Sequence, residues 1–281
     1  MVLRNHPRGR LAFDRDSIVR AALRAYVEAR VERLGSGLWF PVCDYSTWTG
    51  DVHRGALRTD SGCGDEDIVA WTEAGVVGLA YELGWGPVER FKLPRDAITH
   101  GPEDVRGAVP GLPAELEPAL VIATSMLSDG NHLEKLASIG FWLYGDRVGG
   151  TLFDDPKGPG AERLVPWGML QNGRLPFCLL GELAAKAAER ARTTDAPIHA
   201  IIDAVVDRRL QGPTEFTTDE LATLLAKPPD PKQLLAIQRR LQEVGITWPG
   251  SPELPPEELP PGPRLNPFTK TPMPEPKRSD K

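Results

Sequence analysis

The stretch IVAWTEAGVVGLAYEL, residues 68–83, decides the fold class. Two runs rich in β-branched and aromatic side chains flank Glu73-Ala74-Gly75, and a short glycine-containing link between such runs is the mark of a β-hairpin. GFWLYGDRVGGTLF, residues 140–153, repeats the pattern with its turn near Gly145-Asp146. GLWFPVCDY, 37–45, reads as a further strand. Strands that come in hairpins, not alternating with helices, predict an α+β fold with antiparallel pairing and argue against a doubly wound parallel sheet.

Helices bracket these strands. A first helix is predicted from Asp16 or Ser17, whose side chains can accept from free first-turn N–H groups, to about Leu34 before Gly35. Ile18, Ala22, Ala25 and Ala29 are its expected inner face, with Arg20, Arg24, Glu28 and Arg30 on its polar surface. Residues 91–111 are broken by Pro and Gly and read mostly as loop. An inserted helix follows from Pro118, with Ala119, Leu120, Ala123 and Leu127 at helical spacing, then a short one at HLEKLAS, 132–138.

The last third is helical. Leu179, Leu180, Leu183, Ala184, Ala187 and Ala188 form one stripe, and Ile198, Ile201, Ile202, Val205 and Val206 another. Thr217 and Glu220 fit a capping box, and Asp230-Pro231 caps KQLLAIQRRLQEVG. The segment from Pro249 to Lys281 holds 11 prolines in 33 residues. It is too poor in apolar side chains to offset its ordering entropy, so a disordered tail is expected. The expected organisation is an α+β domain over 1–178, a helical part over 179–248 packed on it, and the tail over 249–281.

Composition narrows the function. The chain has 281 residues and a net charge of -6, the wrong sign for the basic field a nucleic-acid binder needs. No apolar run approaches the roughly 20 residues that cross a bilayer. Three widely spaced cysteines make no disulfide framework. A soluble cytoplasmic protein with reduced thiols is expected, with no nucleic-acid or membrane partner.

CDYSTWTGDVHRGALRTDSGC, 43–63, gathers Cys43, Asp51, His53 and Cys63. Structural zinc sites pair ligands two to four residues apart, and here the spacing is ten. Cys63 lies among acids and Cys43 in an apolar run, and both settings disfavour a thiolate. The stretch therefore reads as a polar loop between strands, with Cys43, His53 and Asp51 as weak catalytic candidates. Ser125, Ser128, Asp129 and His132 are too close in sequence for a hydrolase triad. His199 and Asp203, four apart on a helix, read as a surface pair. No phosphate loop is present, and residues 217–248 are neutral, unlike a DNA-reading helix pair. No cofactor or metal is expected.

Charge is the uneven feature. Residues 59–134 hold fourteen acids and four bases, a net of -10, whereas residues 1–40 hold eight arginines and four acids. Segregation of sign steers oppositely charged partners. The expected function is a non-enzymatic protein-binding module that docks a basic partner, as an immunity or inhibitor protein docks a toxin. Asp60, Asp65, Glu66, Asp67 and Glu73 would supply the acidic face, and Trp48 and Trp85 the anchors. The alternatives are an enzyme using Cys43 and His53, or a scaffold whose proline-rich tail recruits partners.

Overall fold

Successive side chains of the 68–71 run enter opposite cores. Ile68 and Ala70 pack on one side of a sheet, and Val69 and Trp71 on the other. This is the period of two that a strand covered on both faces requires. The computed structural model describes residues 14–32, 46–60, 66–81, 102–127, 139–154, 195–226 and 230–249, with Leu34, Ala137, Thr193 and Ser251.

Six strands run in sequence order across one antiparallel sheet: β1 (Thr47–Gly50), β2 (Gly55–Asp60), β3 (Glu66–Thr72), β4 (Gly75–Tyr81), β5 (Ile139–Tyr144) and β6 (Arg147–Gly149). Both predicted hairpins are present, turning at Glu73-Ala74 and Gly145-Asp146. The fold is α+β with hairpin-built strands. The predicted strand at 37–45 lies outside the described residues.

The polar stretch 43–63 departs from expectation, because its residues 47–60 form β1, a turn and β2, a hairpin of the main sheet. Trp48 pairs with Leu57 and both face one core, while Ala56 faces the other. Gly50, at φ 73°, makes the turn, where an added Cβ would sit 2.1 Å from the Arg54 carbonyl oxygen.

One sheet face is covered by α1 (Arg15–Glu32). Its cap is Asp14, not Asp16 or Ser17: the Asp14 carboxylate accepts from the backbone N–H of Ser17 at 2.8 Å and from its hydroxyl at 2.6 Å. The helix is buried on nearly every side. Ala25 and Ala29, expected inside, are only partly buried, whereas Arg24, Glu28 and Arg30, expected outside, are 3–6% exposed. The cause is tertiary. Residues 196–211 bring Asp203 and Asp207 against Arg20 and Arg24, and Arg30 donates to the Ser46 carbonyl.

The other face is covered by residues 102–127. They form α2 (Pro102–Val105), two 3-10 turns, and α3 (Glu117–Leu127). Residues 102–108 are thus helical where loop was expected. Ala119, Leu120 and Ala123 pack on the sheet as predicted. A short α4 (Thr151–Asp154) follows β6.

The C-terminal helices are α5 (Ala196–Gln211), α6 (Thr218–Leu224) and α7 (Pro231–Glu243). Thr217 and Glu220 form the capping box. Asp230 accepts from Lys232 and Gln233 with Pro231 in the first turn. Ile202, Val205, Val206, Leu224, Ile237 and Leu241 join the core that also holds α1 and Trp71. A parallel pair, β7 (Thr214–Glu215) and β8 (Ile246–Thr247), joins the chain just after α5 to the chain just after α7. The predicted helices at 132–138, apart from Ala137, and at 179–188, and the tail beyond Ser251, lie outside the described residues.

Close packing of glycine against aromatic rings holds the sheet centre. Gly78 pairs with Phe141, whose ring lies so near that an added Cβ would be 2.0 Å from its Cε1. β-propensity alone favours Ala over Gly. Gly78→Ala is nevertheless expected to cost about 1–3 kcal/mol by overpacking, read as a lower urea midpoint at unchanged slope.

Candidate functional site

Strand register fixes where the candidate residues stand. The 51–54 turn and the Glu73-Ala74 turn lie at one end of the sheet, because Gly55 pairs with Trp71 and Thr72 with Gly75. Asp60 pairs with Glu66 at the opposite end. The length of β3, about 20 Å at roughly 3.3 Å per residue, separates the two.

Asp51, His53 and Glu73 therefore share one end, whereas Asp60, Glu66 and Asp67 belong to the other. Residues 61–65, including Cys63 and Asp65, lie outside the described residues, as do Cys43, Trp85 and the side chain of Asp60. Among the described residues no group of three His, Cys, Asp or Glu is placed to hold a metal.

At the first end the polar groups build the turn. The Asp51 carboxylate accepts from the backbone N–H of His53 at 2.7 Å and of Arg54 at 2.9 Å. Trp71 Nε1 donates to the Asp51 carbonyl and Trp48 Nε1 to that of Gly50. Arg15 donates to the carbonyls of Thr72, Val52 and His53, locking two turns to the start of α1. His53 is exposed. Asp51 is thus committed to backbone N–H groups, a structural use of a carboxylate in a turn.

The Arg54 N–H, helped by that of His53 and opposed by burial, holds the Asp51 carboxyl below its ordinary value. Its contribution to stability is full above the unfolded carboxylate range, near pH 4, and is lost as pH falls through the lower folded value. Asp51→Ala is expected to melt below wild type at pH 7, with the gap closing below about pH 4. Thermal melts at stepped pH measure this.

At the opposite end the predicted acidic face turns inward. Glu66 is 2% and Asp67 5% exposed, because β3 is a central strand covered on both sides. Glu66 shares the face of Ile68, and Asp67 that of Val69. Trp48, expected as an interface anchor, is also buried, with its ring 5.8 Å from Tyr26 and 4.9 Å from Trp71. Glu73 alone of the described members is exposed as expected.

Two polar clusters had no local sequence signal. Along α1 and α5, Arg20 pairs with Asp207 at 2.8 Å and with Asp203 at 3.3 Å. Arg24 meets Asp203 and Glu28, both at 2.9 Å, and approaches His199 Nδ1 at 3.0 Å. An arginine only donates, so Nδ1 accepts there. His199 is buried, which corrects its reading as one of a surface pair; only Asp203 keeps partial exposure. At the other end of α1, Arg30 lies 4.5 Å over the Tyr26 ring. The Tyr26 hydroxyl donates to Glu243 at 2.8 Å. Burial pushes that phenol up to about 12, with Glu243 adding to the rise against the opposing charge of Arg30.

Apart from Glu73, the exposed acids among the described residues of 59–134 lie on the α2–α3 layer. Glu103 and Glu115 are exposed and Glu117 partly so. Arg106 donates to Glu117 at 2.7 and 3.0 Å and to Glu103 at 2.8 Å. Those two glutamates, Glu117 foremost, hold its guanidinium above the ordinary arginine range. Residues 102–127 thus hold four acids and one base, and Arg58 of β2 adds a donor to the Met126 carbonyl at 3.1 Å. The sequence signal for this layer was the paucity of bases in 59–134.

Compared with known protein families, curated proteins and solved structures, the chain matches none of them. Among the described residues no helix is long and apolar enough to cross a membrane.

Proposed function

We propose that the chain is a non-enzymatic protein-binding module that docks a basic protein partner in the manner of an inhibitor or immunity protein. The observation that carries this reading is the sign of the exposed charge around α2 and α3. Within residues 102–127, Glu103, Asp104, Glu115 and Glu117 stand against one base, Arg106, which Glu103 and Glu117 hold. By contrast, Arg20 and Arg24 of α1 are engaged with Asp203 and Asp207 of α5. The net negative charge of the α2–α3 layer would steer a basic partner. The proposal places the protein in the cytoplasm and gives it no nucleic-acid partner.

The test is capture from a lysate of the source cell with tagged full-length chain and with residues 1–248, at low and high salt. A basic protein held by both at low salt and released at high salt supports the reading. A partner lost only with residues 249–281 replaces it with a tail-driven scaffold. Capture of nothing specific at either salt overturns it.

A further inference from the structure

After Glu117, α3 has no charged residue: its sequence is EPALVIATSML. Ala119, Leu120, Ala123 and Thr124 are buried against the sheet. The outer residues Pro118, Val121 and Ser125 are exposed, with Ile122 and Met126 partly so. A helix with one face in water ordinarily carries charge there. α5 does so with Asp203 and Asp207, and α7 with Lys232 and Arg240. Pro110, Gly111 and Ala114, just before the helix in sequence, are exposed as well. Glu117 stands one turn before Val121, and Arg106 ties Glu103 to Glu117.

Val121, 52% exposed, and Leu235, 38% exposed, are the exposed large hydrophobic residues among those described. They differ in setting. Leu235 sits on a helix whose outer face is charged, and a scattered exposed hydrophobe is ordinary. Val121 stands on an uncharged strip with Glu117 one turn before it and Arg58 of β2 donating to the Met126 carbonyl at its far end. An apolar centre with a polar, charged rim is the anatomy of a protein interface.

We infer that the outer face of α3, centred on Val121, is the surface that receives the basic partner. The inference rests on the protein-binding reading above. The occupant is a protein surface with an apolar contact at its centre and Lys or Arg around it. Val121 and Pro118 take the centre, and Glu103, Glu115 and Glu117 meet the cations. A second copy of this chain would bring carboxylates against carboxylates and is disfavoured on charge.

The experiment places a photoreactive aromatic amino acid at position 121, and separately at 235, in the full-length chain. Each is irradiated in lysate, and adducts are identified by mass spectrometry. The expected result is an adduct with one basic protein from position 121 and not from 235. Val121→Lys should bind that protein at least about tenfold more weakly, the scale of one well-buried contact, with an unchanged melting temperature. Leu235→Lys should bind as wild type does. If wild type captures a salt-sensitive basic partner, yet 121 gives no adduct and Val121→Lys binds it normally, the assignment to α3 is wrong and the protein-binding reading survives. If no basic partner is captured by any variant, both fall. An adduct between two copies of this chain also overturns the inference.

Discussion

Replacing Arg24 with alanine is expected to destabilise the fold by about 3–5 kcal/mol, the usual consequence of breaking a buried charge pair by removing one partner. Three groups converge on this guanidinium: Glu28, Asp203 and His199. Glu28 is 3% exposed, so truncation of Arg24 takes a principal counter-charge from a carboxylate that cannot reach water. Set against a total stability of roughly 5–15 kcal/mol for a domain, such a loss leaves the α1–α5 contact marginal. Replacing both members, Arg24→Met with Glu28→Leu, should cost less than half as much, because the uncompensated charge disappears with its partner. Urea denaturation of the two variants and wild type separates these cases. Equal losses would mean that shape, not charge, holds the helices together.

Trp71→Ala is expected to cost a similar amount, about 3–5 kcal/mol, for a different reason. Trp71 is fully buried beneath α1, 4.9 Å from Trp48, and its Nε1 donates to the Asp51 carbonyl at 2.8 Å. Truncation opens a cavity and orphans a carbonyl in the turn that Arg15 also pins. Trp71→Phe keeps most of the ring volume and loses the indole N–H, so it should recover more than half of the loss. A drop in the urea midpoint of Trp71→Ala at constant slope reads the effect as native-state stability.

These two sites mark the boundary of what local sequence can convey. Trp71 was legible as core because it lies in an alternating run beside Val69, where period and composition agree. Arg24 was not. On a helix with Ile18 and Ala22, a charged residue at position 24 looks solvent-facing, and only the ladder of His199, Asp203 and Asp207 on a helix some 180 residues later makes it an interior residue. The same blindness applied to Glu66 and Asp67. Acids in a strand suggest an outer face, but β3 is covered on both sides.

The β1–β2 hairpin was hidden for another reason. Thr47, Thr49, Arg58 and Asp60 dilute its alternation, although Trp48, Leu57 and the Gly50-Asp51 step carried the signal. The exposed acid around α3 was foreshadowed by the charge of 59–134. Among the described acids of that segment, Glu66 and Asp67 are buried on β3 while Glu103 and Glu115 are exposed, a division that burial supplies and composition does not.

The most direct test of the account is the association rate of the chain with its captured basic partner as ionic strength rises from about 0.01 to 1 M, over which the screening length contracts from roughly 30 to 3 Å. Docking through the acidic layer predicts a steep fall in the rate across that range. It also predicts a shallower fall for a variant with Glu103, Glu115 and Glu117 changed to glutamine. A rate that is flat with salt, or a slope that the three substitutions leave unchanged, would contradict it.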